Sequence, residues 1–339
     1  MINILIIYTG GTIGMVHDAE TGVLVPFDFK QIRQNVPELL RLNYQIDVHS
    51  FDPVIDSSNM DPAIWKALAM LIAENYEKYD GFVILHGSDT MAFTASALSF
   101  MLQNLNKPVV LTGSQLPIGE IRTDAKENLI TALEIAATKK NDGTAMVPEV
   151  SIYFDYQLFR GNRAIKYNSE KFEAFQSPNY PLLAEAGVNL DFYNNYIWSQ
   201  ATGALELYTD FNANIGVLKM YPGITPQAVN AVTTANVDAI VLEAFGSGNT
   251  TTATWFVESI AAAIAAGKVV VDISQCKGGS VYLGKYETSK ELQQMGVVSG
   301  FDMTFEAAIT KLMYLLGRKL PVVEIARLME KNLNGELSN

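Results

Sequence analysis

Seven short runs along this chain are rich in valine and isoleucine and mostly unalternated. They are Ile2–Tyr8, Gly81–Leu85, Val109–Thr112, Val150–Phe154, Ile215–Met220, Ala239–Glu243 and Val269–Ile273. A strand with one wet face alternates apolar and polar residues. A run without alternation is buried on both faces, as in a parallel sheet covered by helices. Helical patterns stand between the runs. Asp61 and Pro62 offer an N-cap and a first-position proline, and Ile64, Leu68, Leu71 and Ile72 follow at helical spacing. Asp89 to Gln103 reads as a second helix. Asp302 to Gly317 reads as another, with Asp302 as its N-cap and Gly317 as its stop. The expected class is α/β with mostly parallel sheets.

At 339 residues the chain is longer than one core comfortably supports, since cores stop growing at roughly 250–300 residues. The stretch Leu190–Phe211 is irregular, aromatic and rich in asparagine, and the strand–helix rhythm restarts after it. The expected division is a larger N-terminal domain over 1–190, a linker over 191–212 and a smaller C-terminal domain over 213–339. The net charge of −12 and the lack of a Lys/Arg-rich block disfavour nucleic acid and anionic membranes as partners. No apolar run reaches the ~18 residues of a membrane span. The apolar N-terminus has no positive leader and no cleavage signal, so it reads as a first buried strand. Cys276 is the only cysteine, which rules out an intrachain disulfide. The expected compartment is the cytoplasm.

In open α/β sheets, ligands bind beyond the carboxyl ends of the strands. Four segments there carry chemistry: Thr9–Gly14, Asp56–Met60, His86–Thr90 and Thr112–Gln115. Two adjacent glycines let backbone N–H groups approach a ligand as an oxyanion pocket, and Thr12 beside them is a candidate nucleophile. The spacing is not the dinucleotide pattern, and for the segment taken alone a phosphate-binding or purely structural turn is the better explanation of the glycines. Ser88 offers a hydroxyl or a plain turn residue, and Asp89 a carboxylate or a plain N-cap. The basic loop Arg160–Lys166 sends Lys166 either to a site or to solvent. His17, His49 and His86 lack metal-ligand spacing, so neither metal nor cofactor is expected. No G-x-S-x-G elbow is present.

Together these segments resemble the bacterial-type asparaginase family, in its cytoplasmic, type I branch. That family carries a T-G-G-T-I-[AG] motif and, some 75 residues later, H-G-T-D-T. Here they read Thr9-Gly10-Gly11-Thr12-Ile13-Gly14 and His86-Gly87-Ser88-Asp89-Thr90. The likeness extends through Tyr79–Leu85, Thr112–Gln115, Arg160–Arg163, Gly246–Asn249, Asp302–Thr304 and Leu333–Leu337, so it spans essentially the whole chain. It implies a flavodoxin-like C-terminal domain, hydrolysis of L-asparagine to L-aspartate and ammonia, and a homodimer or dimer of dimers whose sites the neighbouring subunit completes. It also implies Thr12 as nucleophile, with Ser88, Asp89 and Lys166 as the other catalytic groups. Gly11, Asp56, Ser57, Gly87 and Ser114 would hold the substrate.

The chain departs from the family in three places. Ser88 replaces a threonine, keeping the hydroxyl. The mobile-loop tyrosine expected about a dozen residues past the nucleophile is missing from Gly22–Pro26, leaving Asn249 and Tyr286 as candidates to assist from the neighbour. The loop His17–Pro26 is a candidate lid. Some type I members respond allosterically to asparagine through a threonine and an arginine, and Ile165 and Glu243 stand there instead. Two other readings stay open: a glutaminase-asparaginase, because one methylene discriminates by only ~1–3 kcal/mol, and a non-catalytic amino-acid-binding module.

Overall fold

The computed structural model describes residues 1–17, 24–26, 36–198, 203–285 and 287–338. They form two compact units, Met1–Thr209 and Asp210–Asn339.

In the first unit the strands of the main sheet are β1 (Ile2–Tyr8), β2 (Tyr44–Ser50), β3 (Gly81–Leu85), β4 (Val109–Thr112), β5 (Val150–Phe154), β6 (Gln157–Arg160), β7 (Ala184–Ala186) and β8 (Leu190–Phe192). They make one sheet in the order β8-β7-β6-β5-β4-β3-β1-β2. The five strands from β5 to β2 are parallel, and β6 to β8 return antiparallel. The four apolar runs of this half are strands with the expected bounds, and β3, β4 and β5 are buried at every position. β2 is an additional strand. It lies at the sheet edge, where Tyr44, Ile46 and Val48 alternate with Gln45, Asp47 and His49.

Among the described residues, three α-helices cover this sheet: α1 (Pro62–Glu74), α2 (Met91–Met101) and α3 (Ala125–Ala137). Asp61 caps α1 by accepting from Ile64 N at 2.9 Å. Leu129, Leu133 and Ala136 of α3 pack with Ile4, Ile6, Val83 and Val110 in one core. The second helix starts later than expected: Thr90 occupies its N-cap position without a side-chain cap, and Asp89 bonds elsewhere.

The second unit holds β9 (Ile215–Lys219), β10 (Ala239–Ala244), β11 (Val269–Ser274) and β12 (Val298–Ser299), parallel and in sequential order. Helices α4 (Pro226–Thr233), α5 (Thr254–Ala265), α6 (Glu287–Gln294), α7 (Phe305–Gly317) and α8 (Val322–Met329) complete it. The cap of α7 differs from expectation. Thr304 accepts from Ala307 N, while Asp302 accepts from Ser338 N at 2.9 Å and Ser338 Oγ at 2.5 Å. Lys311 and Glu336 form a fully buried ion pair at 2.6 Å, which ties the C-terminal tail into the unit. Among the described residues, no helix is long and apolar enough to cross a membrane.

Candidate active site

The carboxyl ends of β1, β3 and β4 lie side by side, with Tyr8 opposite Leu85 and Leu85 opposite Thr112. The chain beyond them stays joined. Thr9 gives both its N–H and its hydroxyl to Leu85 O at 3.0 Å, and His86 N donates to Thr112 O at 2.9 Å. Ile55 N donates to Thr9 O at 2.7 Å and brings in the segment after β2. Two glycines set how closely these segments meet. A Cβ on Gly11 would lie 2.6 Å from Gly87 Cα, and a Cβ on Gly87 would lie 2.5 Å from Ser57 Oγ. Only glycine permits both approaches.

The converging segments enclose a cavity of about 440 Å³. Thr12, Ser88, Asp89 and Lys166 line it, with Gly11, Asp56, Ser57 and Gly87. Eight of the nine residues expected in this unit are therefore brought together. Ser114 is not among them: it is buried, and its hydroxyl donates to Leu116 O at 2.5 Å. Its neighbour Gln115 lines the cavity instead, with Nε2 donating to Lys171 O at 2.8 Å. Asp124 fixes this turn by accepting from the N–H groups of Gln115 and Leu116 at 2.9 and 3.1 Å. Burial pushes the Asp124 carboxyl above the usual carboxylate range, against the pull of those donors.

Lys166 is the bridge of the site. Its Nζ donates to Ser88 Oγ at 2.8 Å and to Asp89 Oδ1 at 2.5 Å. The lysine side chain is 17% exposed and the Asp89 side chain 67% exposed, so water reaches one partner far more than the other. The loop that delivers Lys166 is anchored inside the protein. Arg160 and Arg163 are buried, not solvated as a basic loop would be. Arg160 Nε donates to Glu149 Oε2 at 2.7 Å, and both guanidinium groups lie over Tyr180, at 4.2 and 5.1 Å from its ring centre.

Thr12 opens a short 3-10 turn, Thr12–Gly14, which Tyr8 braces by donating its hydroxyl to Gly14 O at 3.2 Å. Among the described residues, no hydrogen bond occupies the Thr12 hydroxyl. Asp56 caps the next turn, accepting from Ser58 N at 2.9 Å and Ser58 Oγ at 2.8 Å. Those two donors hold its carboxyl below the usual range. Ser57 is buried, and its carbonyl accepts from Thr90 Oγ1 at 2.7 Å.

Met15, Gln115 and Ser169 also line the cavity and were not among the expected site residues. Gln115 stands in a strand-end segment already singled out, whereas Met15 and Ser169 carry no sequence signal. Asn249 lies in the second unit, where its backbone pairs with Phe245. Tyr286 and most of the candidate lid, including Asp18 and Gly22, lie outside the described residues. Among the described residues, no three His, Cys, Asp or Glu side chains are grouped to hold a metal. A larger groove of about 780 Å³ runs beside α4 and α5 of the second unit, but none of these catalytic candidates lines it.

Among the described residues, the strand ends of a parallel sheet gather a threonine hydroxyl without a hydrogen bond and a serine–lysine–aspartate set, the groups that a hydrolase with a hydroxyl nucleophile requires. The family follows from comparison. Residues 3–198 match the model for the asparaginase N-terminal domain, and residues 214–329 that for the glutaminase/asparaginase C-terminal domain. The chain is 41% identical over 337 residues to L-asparaginase 1 of Escherichia coli strain K12, covering 99% of this chain and 98% of that one. The crystal structure of L-asparaginase I from Vibrio cholerae aligns with a TM-score of 0.91 at 41% identity, covering 99% of both chains. The thermostable L-asparaginase from Thermococcus kodakarensis aligns with a TM-score of 0.91 at 34% identity, covering all of both chains. The chain belongs to the asparaginase family. Its full-length likeness to L-asparaginase 1 and I agrees with the type I branch that the motifs imply.

Proposed function

We propose that this chain hydrolyses L-asparagine to L-aspartate and ammonia, with Thr12 as the nucleophile. One observation carries the reading: Thr12 lines the same small cavity as Ser88, Asp89 and Lys166, with Lys166 hydrogen-bonded to the other two. Asparagine is a zwitterion bearing a neutral amide. Asp89 offers its carboxylate to the α-ammonium, and Ser57 offers donors to the α-carboxylate. Thr12 Oγ attacks the amide carbon, and the Gly11–Thr12 and Ser88–Asp89 turns offer N–H groups to the oxyanion. The C–N bond breaks, the leaving nitrogen takes a proton and departs as ammonia. Water then splits the ester, freeing aspartate and restoring the hydroxyl.

Thr12 needs a proton acceptor. The Ser88–Lys166–Asp89 set, joined by the two hydrogen bonds of Lys166, is the candidate relay for that proton. The family supports the further reading of a cytoplasmic dimer or dimer of dimers, with Asn249 and Tyr286 reaching a neighbour's site.

The test is ammonia release from asparagine, with glutamine in parallel, by wild type and Thr12→Ala. Turnover of asparagine that collapses in the variant is the expected result. No turnover by folded wild type leaves an amino-acid-binding module, and turnover that survives Thr12→Ala removes the nucleophile.

A further inference from the structure

A chain of hydrogen bonds runs through the core behind the cavity and ends on its wall. Trp65 Nε1 on α1 donates to Thr94 Oγ1 on α2 at 3.0 Å. Thr94 Oγ1 lies 2.9 Å from His86 Nε2, and His86 Nδ1 lies 2.6 Å from Gly87 O. Trp65, Thr94 and His86 are all buried. The protonation states follow from the ends. A carbonyl only accepts, so His86 Nδ1 carries a hydrogen. Burial pulls the imidazole down to about 4, so at neutral pH the ring is neutral and Nε2 is bare. Thr94 therefore donates to Nε2 while accepting from Trp65.

This arrangement fixes a peptide plane. In a trans peptide the C=O and the following N–H point in opposite directions. The Gly87 carbonyl is held by a fully buried ring, so the N–H of Ser88 points away from that ring, and both Gly87 and Ser88 line the cavity. Among the described residues, no protein acceptor takes that N–H. We propose that His86 is a positioning residue for asparagine hydrolysis: it locks the Gly87–Ser88 peptide so that the Ser88 N–H is aimed in advance at the developing oxyanion. The inference rests on the reaction proposed for this cavity. His86 touches no reacting atom and acts through the peptide that it holds.

Two amide variants separate this role from core packing. Asn places an N–H near the position of Nδ1 and reaches Gly87 O. Gln places its amide near Nε2 and reaches Thr94 instead. Removing an oxyanion donor costs on the order of 10²–10³ in kcat, and loosening one costs less. His86→Asn is expected to keep kcat for asparagine within about threefold of wild type, and His86→Gln to lose about tenfold, with KM nearly unchanged in both. His86→Gln matching or exceeding His86→Asn, or a loss carried by KM, overturns the proposal. If neither variant folds, nitrogen-15 shifts of the wild-type imidazole decide, the chain having three histidines: hydrogen on Nδ1 is required, and hydrogen on Nε2 alone overturns it. Thr12→Ala run alongside keeps the two questions apart, because its full activity would remove the reaction scheme itself.

Discussion

In Gly11→Ala the added methyl would sit 2.6 Å from both Cα and N of Gly87. Ordinary contact begins near 3.4 Å, so the two segments must part by about 0.8 Å, the difference of those two distances. Both neighbours are backbone atoms, so no flexible side chain can swing aside. The conformation adds to the strain. Gly11 has φ 89° and ψ 170°, a region essentially reserved for glycine, where another residue costs about 1–3 kcal/mol. Both effects push the Thr12 turn away from Gly87 and Ser88, which carry the opposite wall of the site. Displacing reacting groups by about 1 Å costs on the order of 10²-fold in rate. We expect kcat/KM for asparagine to fall about 50- to 100-fold, and Tm to fall by roughly 2–12 °C, taking about 2–4 °C per kcal/mol for a unit of this size. Ammonia release and a thermal melt on the same preparation provide both numbers. A folded variant with wild-type kcat/KM would refute the argument that this contact sets the spacing of the site.

Asp272 on β11 is fully buried, neither carboxylate oxygen has a hydrogen-bond partner among the described residues, and burial pushes its carboxyl well above the usual range. A raised folded-state pKa means that its stability contribution is complete below the unfolded value, about 3.9, and is lost as pH rises from there toward the folded value, by up to about 1.4 kcal/mol per pH unit. Asp272→Asn should flatten that decline in denaturant midpoints measured from pH 4 to 7, and an unchanged pH slope would count against the buried acid. Asparagine saturation should be hyperbolic: Glu243 pairs with Lys219 at 3.3 Å and Ile165 is buried, so neither offers a cationic or hydroxyl grip on a second asparagine. A clearly sigmoidal initial-rate curve would sink that expectation.

What the sequence makes legible here is whatever a local rule decides. Strands buried on both faces stand out because no polar residue interrupts the period for long, and β3, β4 and β5 match their apolar runs residue for residue. β2 obeys the other rule, alternation, and a search for unbroken apolar runs passes over it. The site is harder, because each of its groups has an adequate local explanation. Asp89 stands where an N-cap should, yet its carboxylate meets Lys166, 77 positions away. Nothing within a helical turn of Asp89 announces that ammonium. Arg160 and Arg163 look like a solvated basic loop until Glu149 and Tyr180, distant in sequence, bury and balance them. Ser114 and Gln115 are adjacent, and the choice of which one faces the cavity falls to Asp124, which grips the backbone of their turn from the N-cap position of α3. In each case the deciding partner is remote and polar. Apolar burial is nondirectional and leaves a periodic trace in the sequence. A hydrogen bond or ion pair depends on distance and angle between two particular atoms, and that information enters only when the chain has folded. The ordered motifs supply it indirectly: Thr9–Gly14 and His86–Thr90 gain their meaning from occurring together, because the sheet order sets β1 beside β3.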